Sequence, residues 1–351
     1  MKISPGNAQH IGERKEQQDS FGYSDIEDKE FVRHGGVLAV VADGMGGLAC
    51  GADASRLAVK IMLREYMTKS ENEKVIEALK RSIITANEAV HSMAMEKGLE
   101  GETGTTLVAA VVKDNQLFWI SAGDSRLYLC RNNNITLMTK DHNYANELAR
   151  DVKQGIITPE EAAIHPDRNA LTSFLGMVDL PEIDRNLRPF PLESGDILVL
   201  CSDGLYNALT EKEMAGILNL DSPQQSAENL LQNVLSKKRK HQDNLTVAIL
   251  ALDGSITKKF QNNKITKNNV SNRSIKNIIF FILFIFLVSS LSIVYYLKHN
   301  KIEPQTKITI EQNKNVKKSG KIPLIKNNDP IINNMPFDPS FEYYEKIKIG
   351  E

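Results

Sequence analysis

The sequence predicts an α+β fold, and three observations support this prediction. Two segments, 52–67 and 71–97, carry apolar residues at helical spacing. The segments after them switch to short β-branched runs separated by tight turns, which is typical of antiparallel hairpins. Because helical and extended segments are segregated along the chain, a repeated βαβ arrangement is disfavoured.

The central strand of this fold is predicted over Val37–Ala42. Its six apolar residues, three of them Val, indicate a strand buried on both faces. It leads directly into Asp43 and into glycines at 44, 46 and 47. A carboxylate is costly to bury unless it is paired or bound to a metal, and glycines let the backbone turn tightly beside an ion. Alone, the stretch is equally compatible with a strand followed by an ordinary turn.

The other elements follow in chain order. Residues 1–36 are polar and turn-rich, with a short strand over 21–24. Ser70 and Glu73 are predicted to form a capping box before the second helix. Residues 140–180 are predicted to be helix and loop, and helical sequence continues from Gly204 to about Lys238. Further strands are predicted over 105–112, 116–121, 126–131, 135–139, 197–201 and 245–252.

The composition excludes some classes of protein. The 351 residues are 41% hydrophobic, enough for one large domain or two small ones, and the net charge of -1 offers no general field for nucleic acid. Three distant cysteines, Cys50, Cys130 and Cys201, indicate core residues in a reducing compartment, because no zinc spacing is present. The N-terminus lacks a signal-peptide pattern, so we expect the first domain to be cytoplasmic.

A single-pass transmembrane helix is predicted over residues 278–297. This stretch has 20 residues without a charge, which is the length that spans a bilayer, and two Tyr lie near its end. A buried core helix is disfavoured because the flanks are rich in Lys and Asn. Residues 255–277 are then a linker and 298–351 a polar, flexible tail. Lysines on both sides leave the topology of the tail open.

Five acids lie at predicted strand ends or beside glycine, without His or Cys nearby: Asp19, Asp43, Asp124, Asp203 and Asp243. Oxygen ligands suit hard ions such as Mg²⁺ and Mn²⁺, and clustered carboxylates repel each other unless cations neutralise them. Two such ions about 3.5–4 Å apart can clamp a phosphoryl group and activate a water. Arg14 is the natural phosphate partner. Each acid singly is better interpreted as a solvated turn residue, but the set favours metal.

Seven short segments carry a resemblance to one family: 14–19, 43–47, 104–106, 123–126, 141–142, 202–204 and 243–246. In this order they resemble metal-dependent protein serine/threonine phosphatases of the PPM type, the protein phosphatase 2C family, and specifically its bacterial members. The resemblance covers about residues 1–254, which we take as the phosphatase domain. It implies a β-sandwich of two antiparallel sheets flanked by helices, with metals in a cleft at one end.

The resemblance also implies roles for individual residues. Asp43 bridges two ions, Gly44 offers its carbonyl to one of them, and Asp203 and Asp243 hold the other. Asp124 with Asp203 resembles a third, weaker ion site, so two or three Mn²⁺ or Mg²⁺ ions are expected.

Other positions of the cleft are compared with the family in the same way. Arg14 matches the phosphate-binding arginine, and Asp19 belongs to the acidic set. Gln18 stands where many members have Glu.

Proton donation and substrate choice are less clear from the resemblance. Met45 stands where eukaryotic members have a His proposed as general acid, which leaves leaving-group protonation to water or an unidentified residue. His142 is a candidate donor, although a structural role fits it better. Residues 145–180, including Arg168, resemble a mobile flap that we expect to tune substrate choice.

The sequence thus predicts a membrane-tethered phosphatase acting on phosphoserine and phosphothreonine in proteins, with targets of a Ser/Thr kinase as implied substrates. Two alternatives remain. One is a catalytically silent phosphatase-like module that binds a partner at the membrane. The other is a phosphatase of the same fold acting on an anti-sigma-type regulator.

Overall fold

Two antiparallel β-sheets stack face to face, and helices cover their outer surfaces. The structure is a computed structural model and describes residues 1–46, 50–218 and 222–252. The predicted linker, transmembrane helix and tail over 255–351 lie outside these residues. Within the described part of the chain, no helix is long and apolar enough to cross a membrane.

The first sheet has five strands in the order β1-β12-β11-β7-β8. The second has seven, in the order β10-β6-β5-β3-β2, with β4 paired to β3 and β9 to β6. The strands are β1 Ile3–His10, β2 Asp19–Tyr23, β3 Val37–Met45, β4 Gly104–Thr105, β5 Leu107–Lys113, β6 Gln116–Ala122, β7 Arg126–Arg131, β8 Asn134–Leu137, β9 Asp184–Arg185, β10 Phe190–Pro191, β11 Ile197–Cys201 and β12 Leu245–Leu252. The predicted sandwich of two antiparallel sheets is confirmed.

Helices pack on both sides of this sandwich. The long pair α2 and α3 contacts the seven-stranded sheet, and α8 contacts the five-stranded one. The helices are α1 Lys29–Gly35, α2 Cys50–Met67, α3 Val75–Glu96, α4 Tyr144–Gln154, α5 Pro159–Ile164, α6 Asp203–Tyr206, α7 Glu211–Leu218 and α8 Pro223–Ser236.

The core lies between the two sheets, where alternate side chains of facing strands interlock. The buried cluster includes residues that are 0% exposed, among them Val41, Val108, Leu127, Leu198 and Leu250. Such burial on both strand faces explains why these segments read as continuous apolar runs. All three cysteines are buried and none forms a disulfide, as expected for core residues.

The strand β1 was not predicted, because its sequence holds a Pro, a Gly and several polar residues. Among the described strands it pairs with β12 alone and is an edge strand. An edge tolerates the missing N–H of Pro5. A Cβ on Gly6 would lie 2.3 Å from the backbone of Pro223. The glycine is therefore required by the close approach of α8.

The predicted capping box at Ser70 and Glu73 is wrong. The helix α3 begins at Val75, and its N-cap Lys74 makes no side-chain capping bond. The Glu73 carboxylate instead binds Arg81, with Nε and Oε1 3.1 Å apart. An ion pair with Arg81, eight residues further along in α3, therefore occupies the carboxylate that the predicted capping box requires.

Candidate active site

Two acids from the seven-stranded sheet face each other across neighbouring strands. The register of β2 and β3 places Asp19 directly opposite Asp43. Directly opposed residues have Cβ atoms about 4.5–5.5 Å apart, and like charges in such a pair are destabilising. A positive charge close to Asp19 and Asp43 would therefore stabilise the pair in its ionised form.

The five-stranded sheet supplies two further acids at the same end. Asp203 is the first residue of α6, two residues after the end of β11, and Asp243 lies two residues before the start of β12. Ser202 joins the sheets: its Oγ donates to Asp19 Oδ2 at 2.6 Å and accepts from the Thr246 amide at 3.0 Å. Acids that are distant along the chain are thus held in one cluster.

The loop that carries Arg14 is fastened by Asn244. The Asn244 Nδ2 donates to the carbonyls of Ile11 at 2.8 Å and Glu16 at 3.0 Å, and its Oδ1 accepts from the Gln18 amide at 2.7 Å. From this loop, an Arg14 N–H donates to Asp243 Oδ2 at 2.6 Å. The Arg14 side chain is 59% exposed, so it stands at the open rim of the cluster.

Hydrogen bonds to the backbone fix the position of Asp43. Its amide donates to Thr106 Oγ1 at 3.0 Å, and its carbonyl accepts from the Thr106 amide at 2.8 Å. At Gly44 a Cβ would lie 2.0 Å from the Gly51 carbonyl and 2.7 Å from that of Gln18. Any side chain at position 44 would push the acid loop away from α2.

Burial and mutual repulsion raise the pKa values of the clustered carboxyls. Burial, and then the charges of Asp19 and Asp203, raise the pKa of Asp43 well above its ordinary value. Burial, followed by Asp124 and Asp243, raises the pKa of Asp203 to about 7. The pKa of Asp19 is raised to about 6 by burial, although the Ser202 hydrogen bond opposes this. Perturbed carboxyls in one cluster are typical of a functional site.

Two carboxylate oxygens in the cluster are buried without a partner among the described residues, Asp19 Oδ1 and Asp203 Oδ1. Such oxygens suit a hard divalent cation. No group of three His, Cys, Asp or Glu side chains in the described chain is arranged to hold an ion by itself. Because Mg²⁺ keeps several waters and takes only one or two carboxylates, the residues present fit such ions.

Asp124 lies in a tight turn that His142 holds. The Gly123 amide donates to His142 Nδ1 at 3.1 Å, and the His142 amide donates back to the Gly123 carbonyl at 2.9 Å. Burial lowers the pKa of His142. For Asp124, burial and then the charge of Asp141 raise the pKa to about 6. His142 is only 2% exposed, so its contacts fit the structural role.

The two positions that depart from the family pattern have clear surroundings. Gln18 Nε2 donates to the Gly46 carbonyl at 3.0 Å, a bond that an ionised Glu could not make. Met45 is the last residue of β3 and pairs with Gly104. Residues 47–49, at the end of the predicted glycine loop, lie outside the described residues.

The segment expected to form a flap folds as two short helices, α4 and α5. The Ala145 amide, in the first turn of α4, donates to the carbonyl of Arg168, which follows α5, at 2.8 Å. Ile156 and Ile164 are 64% and 82% exposed. Its role in substrate choice stays a prediction.

All seven residues proposed from the sequence belong to this end of the fold or its rim. What sequence reasoning missed are the neutral residues that hold them, Ser202, Asn244 and Thr106. Ser202 follows a predicted strand, Asn244 precedes one and Thr106 lies inside one. All three belong to segments already noted for their acids or threonines. A polar residue at or beside an apolar strand could have marked them as candidates. Their hydrogen-bond partners could not be predicted, because those partners are distant along the chain.

Comparison with known proteins agrees with this geometry. A family model described as protein phosphatase 2C matches residues 7–246. Protein phosphatase PhpP of Streptococcus pneumoniae serotype 2 is 33% identical over 241 residues, covering 66% of this chain and 94% of the relative. Serine/threonine phosphatase stp of Listeria welshimeri is 38% identical over 185 residues, covering 52% and 71%.

Solved structures resemble the chain over the same region. The Mycobacterium tuberculosis serine/threonine phosphatase PstP/Ppp has 30% identity and a TM-score of 0.59, covering 72% of this chain and 99% of that one. The catalytic domain of serine threonine protein phosphatase PstP in complex with two manganese ions has 29% identity and a TM-score of 0.57, covering 72% and 99%.

Fold and site together define a protein serine/threonine phosphatase of the metal-dependent class. More particularly, the chain belongs to the protein phosphatase 2C family.

Proposed function

We propose that this chain hydrolyses phosphoserine and phosphothreonine in proteins, at a site that takes two or three Mn²⁺ or Mg²⁺ ions. One observation carries the proposal: buried carboxylates from both sheets converge, with raised pKa values and two oxygens that lack a partner in the described chain. Such a cluster is stable as a set of anions only beside cations.

The acids and one carbonyl would hold the ions. We assign this role to Asp43, Gly44 through its carbonyl, Asp203 and Asp243, with Asp19 and Asp124 completing the acidic surround. When bound, the ions supply charge neutralisation and a water of lowered pKa that can attack phosphorus. The hydrogen bonds from Ser202 and Thr106 keep the carboxylates of Asp19 and Asp43 oriented.

Arg14 binds the phosphate group of the substrate. Among the described residues, one of its five N–H donors has an acceptor, Asp243 Oδ2. The remaining donors stay available for two phosphate oxygens at the exposed rim, where a guanidinium binds them in a bidentate manner. The Asp243 contact aims the guanidinium at the cluster.

The leaving serine or threonine oxygen receives its proton from water in this proposal. Met45 cannot donate a proton, and His142 is buried with its Nδ1 accepting from the Gly123 amide. Arg14 stands in solvent at the rim, so water has access to the same place.

We further propose that residues 278–297 tether the enzyme to a membrane, with the phosphatase domain in the cytoplasm. The uncharged length of this segment supports the proposal of a membrane span. The substrates would be phosphorylated proteins, including targets of a Ser/Thr kinase. The names of the relatives support the Ser/Thr specificity.

The silent-module alternative is disfavoured because every acid of the set is present and clustered. A phosphatase acting on an anti-sigma-type regulator would have the same site. Only a screen of phosphorylated substrates separates these two enzymes.

Turnover of a phosphothreonine peptide by the full chain tests the proposal. With Mn²⁺, we expect Asp43→Asn and Asp243→Asn to lower the rate by at least about 100-fold, more than outer-shell changes cause. The exposed Asp25→Asn serves as a matched control and keeps its rate. Chelation should abolish turnover in all folded variants, whereas unchanged rates in both site variants would refute the assignment.

A further inference from the structure

A pocket of about 340 Å³, here called the distal pocket, is lined by residues remote from the acid cluster. It is formed by the connection between α2 and α3, the turn between β5 and β6, and the segment 186–189. In β3, Val37 pairs with Val112 near this turn, whereas Asp43 lies six residues further on. At about 3.3 Å per residue the two sites are about 20 Å apart.

Three cations line this distal pocket without a carboxylate partner in the part of the chain that the structure describes: Lys69, Lys74 and Arg188. Lys74 and Arg188 are exposed, but Lys69 is only 4% exposed. The Lys69 Nζ donates to the Ser70 carbonyl at 2.8 Å. This bond leaves two of its three donors for another acceptor.

The acids of the pocket do not supply that acceptor, because each is already paired. Two of their partners, Arg33 and Arg81, lie on α1 and α3 outside the lining, and the third, Lys113, lines the pocket itself. The pairs therefore leave Lys69, Lys74 and Arg188 in excess. The pairs are Glu71 with Arg33 at 2.7 Å, Glu73 with Arg81 at 3.1 Å, and Asp114 with Lys113.

Helix geometry adds further donors on the same side. Val75 and Ile76 line the pocket and begin the 22-residue helix α3. In this first turn the Glu77 amide donates to the Lys74 carbonyl at 3.1 Å. The amides of Val75 and Ile76 have no acceptor inside the helix, and the helix dipole is positive there. Lys74, the N-cap, makes no side-chain capping bond. Residues with backbone and side-chain donors therefore line the same pocket.

We propose that the distal pocket binds a phosphate group, carried either by a free phosphorylated small molecule or by an anionic phospholipid. A phosphate has enough oxygens to accept hydrogen bonds from an ammonium, a guanidinium and helix amides at the same time, whereas a carboxylate has only two oxygens. The volume exceeds that of inorganic phosphate, and Phe118 and Pro189 in the lining suit an apolar part beside it. The proposal is independent of catalysis at Asp43.

The single tryptophan of the chain provides the readout. Trp119 lies next to Phe118 in β6, and its amide donates to Asn186 Oδ1 at 3.0 Å. Phe118 and Asn186 both line the pocket. Filling it should change the fluorescence of Trp119.

We would titrate the metal-free full chain with inorganic phosphate and with dihexanoyl phosphatidic acid. We expect a saturable change with at least one probe, weakened at least tenfold in the double variant Lys74→Gln/Arg188→Gln. A matched double variant of exposed lysines, Lys212→Gln/Lys238→Gln, should bind as the parent does. Response to the lipid alone identifies a headgroup, and equal affinity for both probes identifies free phosphate.

Three results would overturn the proposal. These are no saturable change with either probe, equal affinity in the Lys74→Gln/Arg188→Gln variant, or loss of the signal in Arg14→Ala. The last result would place the bound phosphate at the catalytic end. Far-ultraviolet circular dichroism of each variant establishes that it is folded.

Discussion

Two buried aspartates of this fold are treated in opposite ways. Asp196 is 1% exposed and receives Arg131 through Nε at 2.8 Å and a second N–H at 2.6 Å. Asp19 is 3% exposed, yet no cation pairs with it among the described residues: Ser202 Oγ donates to its Oδ2 at 2.6 Å, and its Oδ1 has no partner there. The chain can pair a buried carboxylate fully, and at the acid cluster it does not.

The comparison distinguishes Asp196, which belongs to a structural ion pair, from Asp19, whose carboxylate remains available to bind a cation. Pairing with Arg131 makes Asp196 a fixed part of the turn that precedes β11. Asp19, Asp43 and Asp203 have little positive charge around them. Their ionised forms therefore destabilise the metal-free protein, as their raised pKa values indicate. That energy is recovered when cations bind, which couples folding to metal.

The largest effect should come from breaking the structural pair. Arg131→Ala leaves Asp196 buried and uncompensated, and we expect the free energy of unfolding to fall by about 3–5 kcal/mol. Urea denaturation measures this. The matched variant Arg33→Ala removes an exposed pair whose side chains are 70% and 66% exposed, and it should cost at most about 1 kcal/mol. Equal losses would remove the contrast between buried and surface pairs.

The next effect is a pH dependence of the metal-free protein. Burial and neighbouring charges raise the folded-state pKa of Asp203 to about 7 from an ordinary 3.8. The folded state therefore holds the proton more tightly than the unfolded state. This contribution to stability is fully present below about pH 4 and is lost as the pH rises through about 7.

Urea denaturation in a chelator at pH 5 and pH 8 checks this sign. With Asp19 and Asp124 also raised to about 6, we expect the acid cluster to lower stability by a few kcal/mol, as an order of magnitude, at the higher pH. Asp203→Asn should flatten the dependence. A metal-free protein that becomes more stable between pH 5 and pH 8 would contradict the account.

A smaller effect is expected from the neutral network of the acid end. Asn244→Ala removes three hydrogen bonds to the loop of Arg14. We expect the free energy of unfolding to fall by about 1–3 kcal/mol. The KM for a phosphopeptide should rise more than kcat falls, because Arg14 is positioned for binding. Steady-state kinetics would contradict this if kcat alone changed.

How far the sequence predicts this molecule depends on where the information lies. The strand β12 was predicted with its observed ends, Leu245 and Leu252, and β7 likewise, because long apolar runs between turn residues are local signals. The edge strand β1 carries no such run. Its conformation is imposed by pairing with β12 and contact with α8.

The site shows the same division. Acids at strand ends could be selected as candidates because residue type and position are visible in the sequence. That Asp19 stands opposite Asp43 depends on the register of β2 and β3. The support from Asn244 depends on bonds to Ile11 and Glu16, across more than 220 residues. Only folding brings such partners together.

The central claim is that the buried carboxylates bind cations. Isothermal titration calorimetry of Mn²⁺ binding to the metal-free full chain at pH 7.5 tests it most directly. The account predicts at least two ions per chain, with binding lost in Asp43→Asn and reduced in Asp203→Asn. Arg33→Ala should bind as the parent chain does. Absence of binding, or undiminished binding in both acid variants, would contradict the claim that these carboxylates are reserved for cations.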